Sequence, residues 1–158
     1  MKEQNLQLRL FNAACYWPPN YETVKQLLAQ GADVNGVLEG ESILGRLLWE
    51  GQDNPYLMEM IAFLLQQGAD PNVDTGEGFN CLFRAFLLNK PKVVSLLLNG
   101  GADPNCICQV TGESLLDWAL GEQFFLTTIE ISEEYIKNHD AIVALLLAHN
   151  AKSSRDLG

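Results

Sequence analysis

The sequence predicts an all-α solenoid of stacked helix pairs with hairpin loops. Three observations carry that expectation. The phrase Gly-Ala-Asp-x-Asn occurs at residues 31–35, 68–72 and 101–105, and a degenerate copy begins at Asn150-Ala151. Each copy follows apolar residues at helical spacing that end in a Leu pair. The copies begin 37, 33 and 49 residues apart, the mark of one supersecondary unit repeated along the chain.

The units can be justified in order. In the first, Leu10 and Ala13-Ala14 are the remnant of an inner helix, and Tyr16–Asn20, "YWPPN", is a helix–helix turn. Asn20 is placed to cap an outer helix carrying Val24, Leu27 and Leu28. Gly31 then supplies the positive φ that ends a helix. In the second, Gly40 marks a hairpin tip, Ser42 caps an inner helix through Leu44, and Glu50–Pro55 is a turn. Asn54 is expected to cap the next outer helix, with Pro55 at its first position. Ile61, Leu64 and Leu65 form its apolar stripe before Gly68.

The third unit repeats the scheme with Gly78, Asn80, Leu82, Val94, Leu97, Leu98 and Gly101. The fourth has Gly112, Ser114 and Leu116, then an insertion, "GEQFFLTTIEISEEY", expected to lengthen both helices. Ser132 before Glu133 and Glu134 starts the last outer helix, which runs through Val143, Leu146 and Leu147. In every copy the Asp and Asn after the stop suit a turn, because their short side chains bond nearby backbone groups.

The pattern resembles the ankyrin-repeat family over nearly the whole chain. The family's T-P-L-H-x-A phrase appears as "SILGRL" from Ser42, "NCLFRA" from Asn80 and "SLLDWA" from Ser114. Each keeps a capping residue and the central Leu, and each lacks the Pro and the His. The resemblance implies one domain, 1–158, with repeats of about 1–35, 36–72, 73–105 and 106–158. It also implies that hairpin tips and inner helices line a concave face where a protein partner binds. The irregular unit lengths suggest a specialised, bacterial-type stand-alone chain.

Composition bounds the function. The 158 residues include 20 acids and 10 Lys or Arg, a net charge of −10. Such a surface repels phosphate backbones and anionic lipid, so neither nucleic acid nor membrane is expected as a partner. No apolar run or secretory leader is evident, which makes a cytoplasmic location the expectation and reduced thiols with it.

Catalysis is not expected. His139 and His149 are the only histidines, and neither has a nucleophile of matching spacing. His139, after Lys137-Asn138, reads as solvated. Cys106-Ile-Cys108 is too closely spaced for a metal pair and has no second pair; it reads as filler in a hairpin, a redox role for an exposed pair being the sharper alternative. Cys81 is expected in the core, and Cys15 falls in the first inner helix. "DTGEGFN" lacks the Lys-Ser/Thr of a phosphate loop. No cofactor is expected.

The repeat frame places nine acids on the hairpin and inner-helix side: Glu39, Glu41, Glu50, Asp53, Asp74, Glu77, Glu113, Asp117 and Glu122. Arg46 and Arg84 oppose them, while Lys25, Lys90, Lys92 and Lys137 map to the outer helices. Tyr16, Trp17, Trp49, Phe79 and Trp118 fall on tips or on positions the family leaves variable, and Phe79 and Trp118 are expected to be exposed. Aromatics ringed by charge suit an interface.

The expected site is therefore Glu39, Glu41, Arg46, Trp49, Asp74, Glu77, Phe79, Arg84, Glu113, Asp117 and Trp118. The expected protein is a monomeric, non-enzymatic module that binds a basic protein and masks or inhibits it. An immunity protein against a nuclease-type toxin is one version, and a likeness to the small ankyrin inhibitors of cell-cycle kinases is another. A scaffold or assembly subunit, or a small-molecule binder using the fourth-unit insertion, are the alternatives.

Overall fold

The computed structural model describes residues 2–16, 18–51, 54–73, 75, 78–126 and 131–158, with the side chains of 2–5 and 122–126 excepted. The helices are α1 (Lys2–Cys15), α2 (Tyr21–Ala29), α3 (Ile43–Glu50), α4 (Leu57–Gln66), α5 (Cys81–Leu87), α6 (Pro91–Asn99), α7 (Leu115–Leu126), α8 (Glu133–Ala148) and the short α9 (Ser154–Leu157). Strands β1 (Val37–Leu38) and β2 (Glu41–Ser42) form one small hairpin. Helices pair in sequence as α1/α2, α3/α4, α5/α6 and α7/α8. The inner helices α1, α3 and α5 stack in one rank, and the outer helices α4, α6 and α8 stack in another.

Local chemistry sets the helix starts. Asn20 Oδ1 accepts from Thr23 N at 2.9 Å, Ser42 Oγ from Gly45 N at 3.0 Å and Asn80 Oδ1 from Phe83 N at 3.0 Å. Ser114 Oγ accepts from Asp117 N at 3.1 Å, and Ser132 Oγ from Tyr135 N at 3.2 Å. Each satisfies a backbone N–H that the helix itself leaves without a partner. Asn54 departs from expectation. Its Oδ1 accepts from Tyr56 N at 2.9 Å, so it closes a turn around Pro55, and α4 begins only at Leu57. The Asn-Pro turn wins over the cap because the bond to the residue two ahead forms without any helix.

The helix stops are as the sequence implies. Gly31, Gly68 and Gly101 have φ of 96°, 91° and 95°, and Asn150 takes the same role at 60°. Behind them Ala32 N donates to Leu27 O, Ala69 N to Leu64 O, Ala102 N to Leu97 O and Ala151 N to Leu146 O, at 2.9–3.0 Å. This double closure needs a left-handed residue followed by one that tucks back on the helix, which explains why Ala follows the stop. In the hairpin, Glu39 and Gly40 have φ of 54° and 88° between the Leu38↔Glu41 pair, the signs of a type I′ turn.

The Asn of each phrase does more than shape a turn. Asn35 Nδ2 donates to Gly68 O at 3.1 Å, and its Oδ1 accepts from Asp70 N at 2.7 Å. Asn72 repeats this with Gly101 O at 3.0 Å and Asp103 N at 2.7 Å. Asn105 Oδ1 accepts from Lys152 N at 2.9 Å. Every copy is therefore stapled to the phrase of the next unit. The Asp acts inside its own loop, with Asp33, Asp70 and Asp103 each accepting from the backbone N–H two residues on at 2.8–2.9 Å. At the first copy Gln7 takes the staple's place, its amide bridging Asp33 and Gly36.

The core is continuous along the stack. Helix α3 shows how: Ile43, Leu44, Leu47 and Leu48 are all buried, so each contributes roughly 1.5–3 kcal/mol over exposure. Truncating one, such as Leu47→Ala, costs about 2–5 kcal/mol. The insertion lengthens both helices of the last pair, as expected, to 12 and 16 residues against 7 and 9 in the pair before. Residues 127–130 of the insertion lie outside the described residues. His139 on α8 is not solvated. It is 1% exposed and lies edge-on to Phe86 at 5.9 Å.

Candidate partner-binding face

The hairpin tips and inner helices bring most of the predicted residues to one side, in three groups. In the first, Glu39 is exposed at the hairpin turn, and Glu41 and Glu50 flank Arg46. Arg46 Nε lies 2.7 Å from Glu41 and its Nη1 3.3 Å from Glu50. The pairing follows from sequence spacing: Glu41 precedes the cap of α3, and Glu50 is one turn beyond Arg46. Arg46 is thus flanked by two carboxylates, while Glu39 stands exposed at the hairpin turn.

The second group is a stack running across the helices. The Arg84 guanidinium lies over the Trp49 ring at 4.2 Å and over the Phe79 ring at 5.4 Å. Phe79 meets Trp118 edge-on at 5.8 Å, and Phe83 meets Trp118 at 5.7 Å. Three corrections follow. Arg84, expected as a surface base, is 8% exposed and donates from Nε to Thr75 Oγ1 at 3.2 Å. Phe79 and Trp118, expected as exposed anchors, are half-buried because each closes over the rings beside it. Trp49 is the exposed member, at 54%.

The third group is Asp117. Its Oδ2 accepts from Ser114 Oγ at 3.0 Å, from Ser154 N at 2.7 Å and from Ser154 Oγ, while Ser114 N donates to Ser154 Oγ at 2.7 Å. These bonds tie the start of α7 to the C-terminal α9. The hydrogen bonds from Ser154, above all from its hydroxyl, hold the Asp117 carboxyl below its ordinary value. Asp117 therefore serves the chain terminus, whereas Glu113 beside it is exposed. Asp53, Asp74, Glu77 and Trp17 lie outside the described residues, as does the side chain of Glu122. The lysines fall where expected, Lys25 on α2, Lys90 and Lys92 at the start of α6, and Lys137 on α8.

The cysteines do not form an exposed pair. All four are buried free thiols, with Cys106 and Cys108 turned inward around the half-exposed Ile107. Burial pushes the Cys106 thiol up to about 11 and Cys15 up to about 12, the latter helped by the charge of Glu50. Thiols so shifted stay protonated and are poor nucleophiles. Among the described residues no group of three or more His, Cys, Asp or Glu could hold a metal ion, and no helix is long and apolar enough to cross a membrane.

Sequence reasoning missed the inter-unit staples and the cleft between α1 and the first hairpin. The signal for the staples was present in the fifth residue of the phrase, which is Asn in all three full copies. An Asn needed only for a local turn would be interchangeable with Asp, Ser or Gly.

The family model for ankyrin repeats (3 copies) matches residues 10–108, well over half of the chain. The protein belongs to the ankyrin-repeat family. Ankyrin repeats are typically non-enzymatic, and they make this chain a protein–protein interaction module.

Proposed function

We propose that the protein binds a basic partner protein through the hairpin and inner-helix face and masks or inhibits it. The observation carrying this reading is the unequal fate of charge on that face. Arg46 is paired to Glu41 and Glu50, and Arg84 is buried in an aromatic stack. Glu39 and Glu113 are exposed, as is Glu50, which shares Arg46 with Glu41. Carboxylates outnumber cations on this face, and the resulting negative potential steers a positive surface toward the exposed Trp49. Enzymes acting on nucleic acid carry basic sites, so a nuclease-type toxin is a suitable target and an immunity function the corresponding role. The alternative of a non-inhibitory scaffold shares the surface and differs in what happens to the partner.

The test is a pull-down from lysate at low and moderate salt, with Glu39→Lys/Glu113→Lys as control. A basic protein captured by the wild type, weakened by salt and lost with the variant, supports the reading. Purified partner then reports inhibition in its own assay. A partner retained equally by the variant moves the interface off this face.

A further inference from the structure

A cleft of about 230 Å³ lies between α1 and the first hairpin. Its floor is apolar: Phe11 and Cys15 are buried there, with Leu8 and Leu38 along the side. Glu39 and Glu50 also line it, together with Arg46, which pairs with Glu50 at 3.3 Å. The volume is below the roughly 300–1,000 Å³ of small-molecule sites, and suits a single side chain.

Resting on the proposed binding of a basic protein, we infer that this cleft receives one lysine or arginine side chain of that partner. The aliphatic stem lies against Leu8, Phe11 and Cys15, and the cation reaches Glu39 and Glu50. Long basic side chains bury their stems on apolar surface while keeping the charge at a polar edge, which is how this cleft is graded. An apolar side chain would satisfy the floor and desolvate two carboxylates for nothing. An acidic one would be repelled, since three carboxylates, with Glu41, outnumber the one guanidinium. The Cys15 thiol already registers this surrounding, being pushed up by burial and then by Glu50.

The experiment is a titration of ¹⁵N-labelled protein, followed by amide chemical shifts. The probes are the acetyl-methylamide derivatives of lysine and arginine against those of norleucine and citrulline. The cationic probes are expected to move the amides of Asn12, Tyr16, Leu38, Glu39 and Glu50, and the neutral ones much less. Glu39→Gln and Glu50→Gln each weaken the cationic probes about five-fold, the upper range for one exposed ion pair. Their unchanged far-ultraviolet dichroism and melting show that the fold is kept. Equal shifts with norleucine, or shifts confined elsewhere, overturn the assignment. A basic partner whose binding survives both Gln variants but is lost with Glu113→Lys overturns the cleft and leaves the broader face intact. Cleft shifts without any partner on the face count against the broader reading alone.

Discussion

Asn72 holds the backbone of Asp103 in the following unit, accepting its N–H at 2.7 Å while donating to Gly101 O at 3.0 Å. One side-chain amide thus satisfies a donor and an acceptor that no helix or sheet supplies. Asn72→Ala removes both bonds and is expected to lower stability by about 1–2 kcal/mol, each bond in this exposed loop contributing about 0.5–1 kcal/mol. Asn72→Asp keeps the acceptor and places a carboxylate against a carbonyl oxygen, so it should not restore the loss. Urea unfolding followed by circular dichroism measures both, and a midpoint unchanged by Asn72→Ala would show the staple to be energetically idle.

Asp117 predicts a pH dependence. Bonds from Ser154 and Ser114 hold its carboxyl below the ordinary value of 3.8, so protonation is harder in the folded chain. Its contribution is fully present above the unfolded value and is lost as pH falls through the lower, folded one. Asp117→Asn is expected to be less stable at pH 7 by about 1.5 kcal/mol, the low end for hydrogen bonds to a charged group at a partly exposed site. The gap should narrow as the pH drops below about 4. Denaturation curves at pH 7 and pH 3 test it, and a constant gap would assign the loss to something other than the charge.

Arg84 is a planar cation between two rings, 4.2 Å from Trp49 and 5.4 Å from Phe79. Lysine offers the charge but not the flat stacking surface. Arg84→Lys is expected to cost about 1–2 kcal/mol, the range of a desolvated cation–π contact, with a red shift of tryptophan emission. Unfolding and fluorescence check it together. Wild-type emission and stability would mean that the stack is incidental.

Among the described residues, neither ring nitrogen of the buried His139 on α8 has a hydrogen-bond partner, and Asp140 Oδ1 lies 3.9 Å from Nδ1. A buried polar group without a partner is a standing cost. His139→Phe keeps the ring against Phe86 and removes that cost, so it should raise stability at pH 7 by about 1 kcal/mol. A rise in melting temperature is the expected reading, and a fall would show that the larger ring overfills the site.

Much of the fold was legible because it is decided locally. A Gly or Asn stop closes through bonds within six residues, and Ser42, Asn80 and Ser114 cap through bonds three residues long. Those rules act before any tertiary contact. Asn54 was misread because two local rules competed and the Asn-Pro turn prevailed. His139 was misread from its polar neighbours, although Ile142, Val143 and Leu146, at +3, +4 and +7, share its buried face. The candidate face was legible in outline only. Position in the repeat showed that Arg84, Phe79 and Trp118 fall on one side, but their joining into one stack depends on α5, the loop before it and α7 meeting. Asp117 looked like a binding acid because its partner Ser154 is 37 residues away.

The inter-unit amide bonds have a consequence for how such a chain can change. Neighbouring units are indexed to one another at the Gly-Ala-Asp-x-Asn loops, while the copies stand 37, 33 and 49 residues apart. Alignment is set at one end of each pair, and helix length is left free at the other. Segments can therefore be gained or lost at the far ends without disturbing the next unit's placement. The fold accommodates a large insertion in its last pair by this division, and variation in shape can accumulate there while the stack keeps its count.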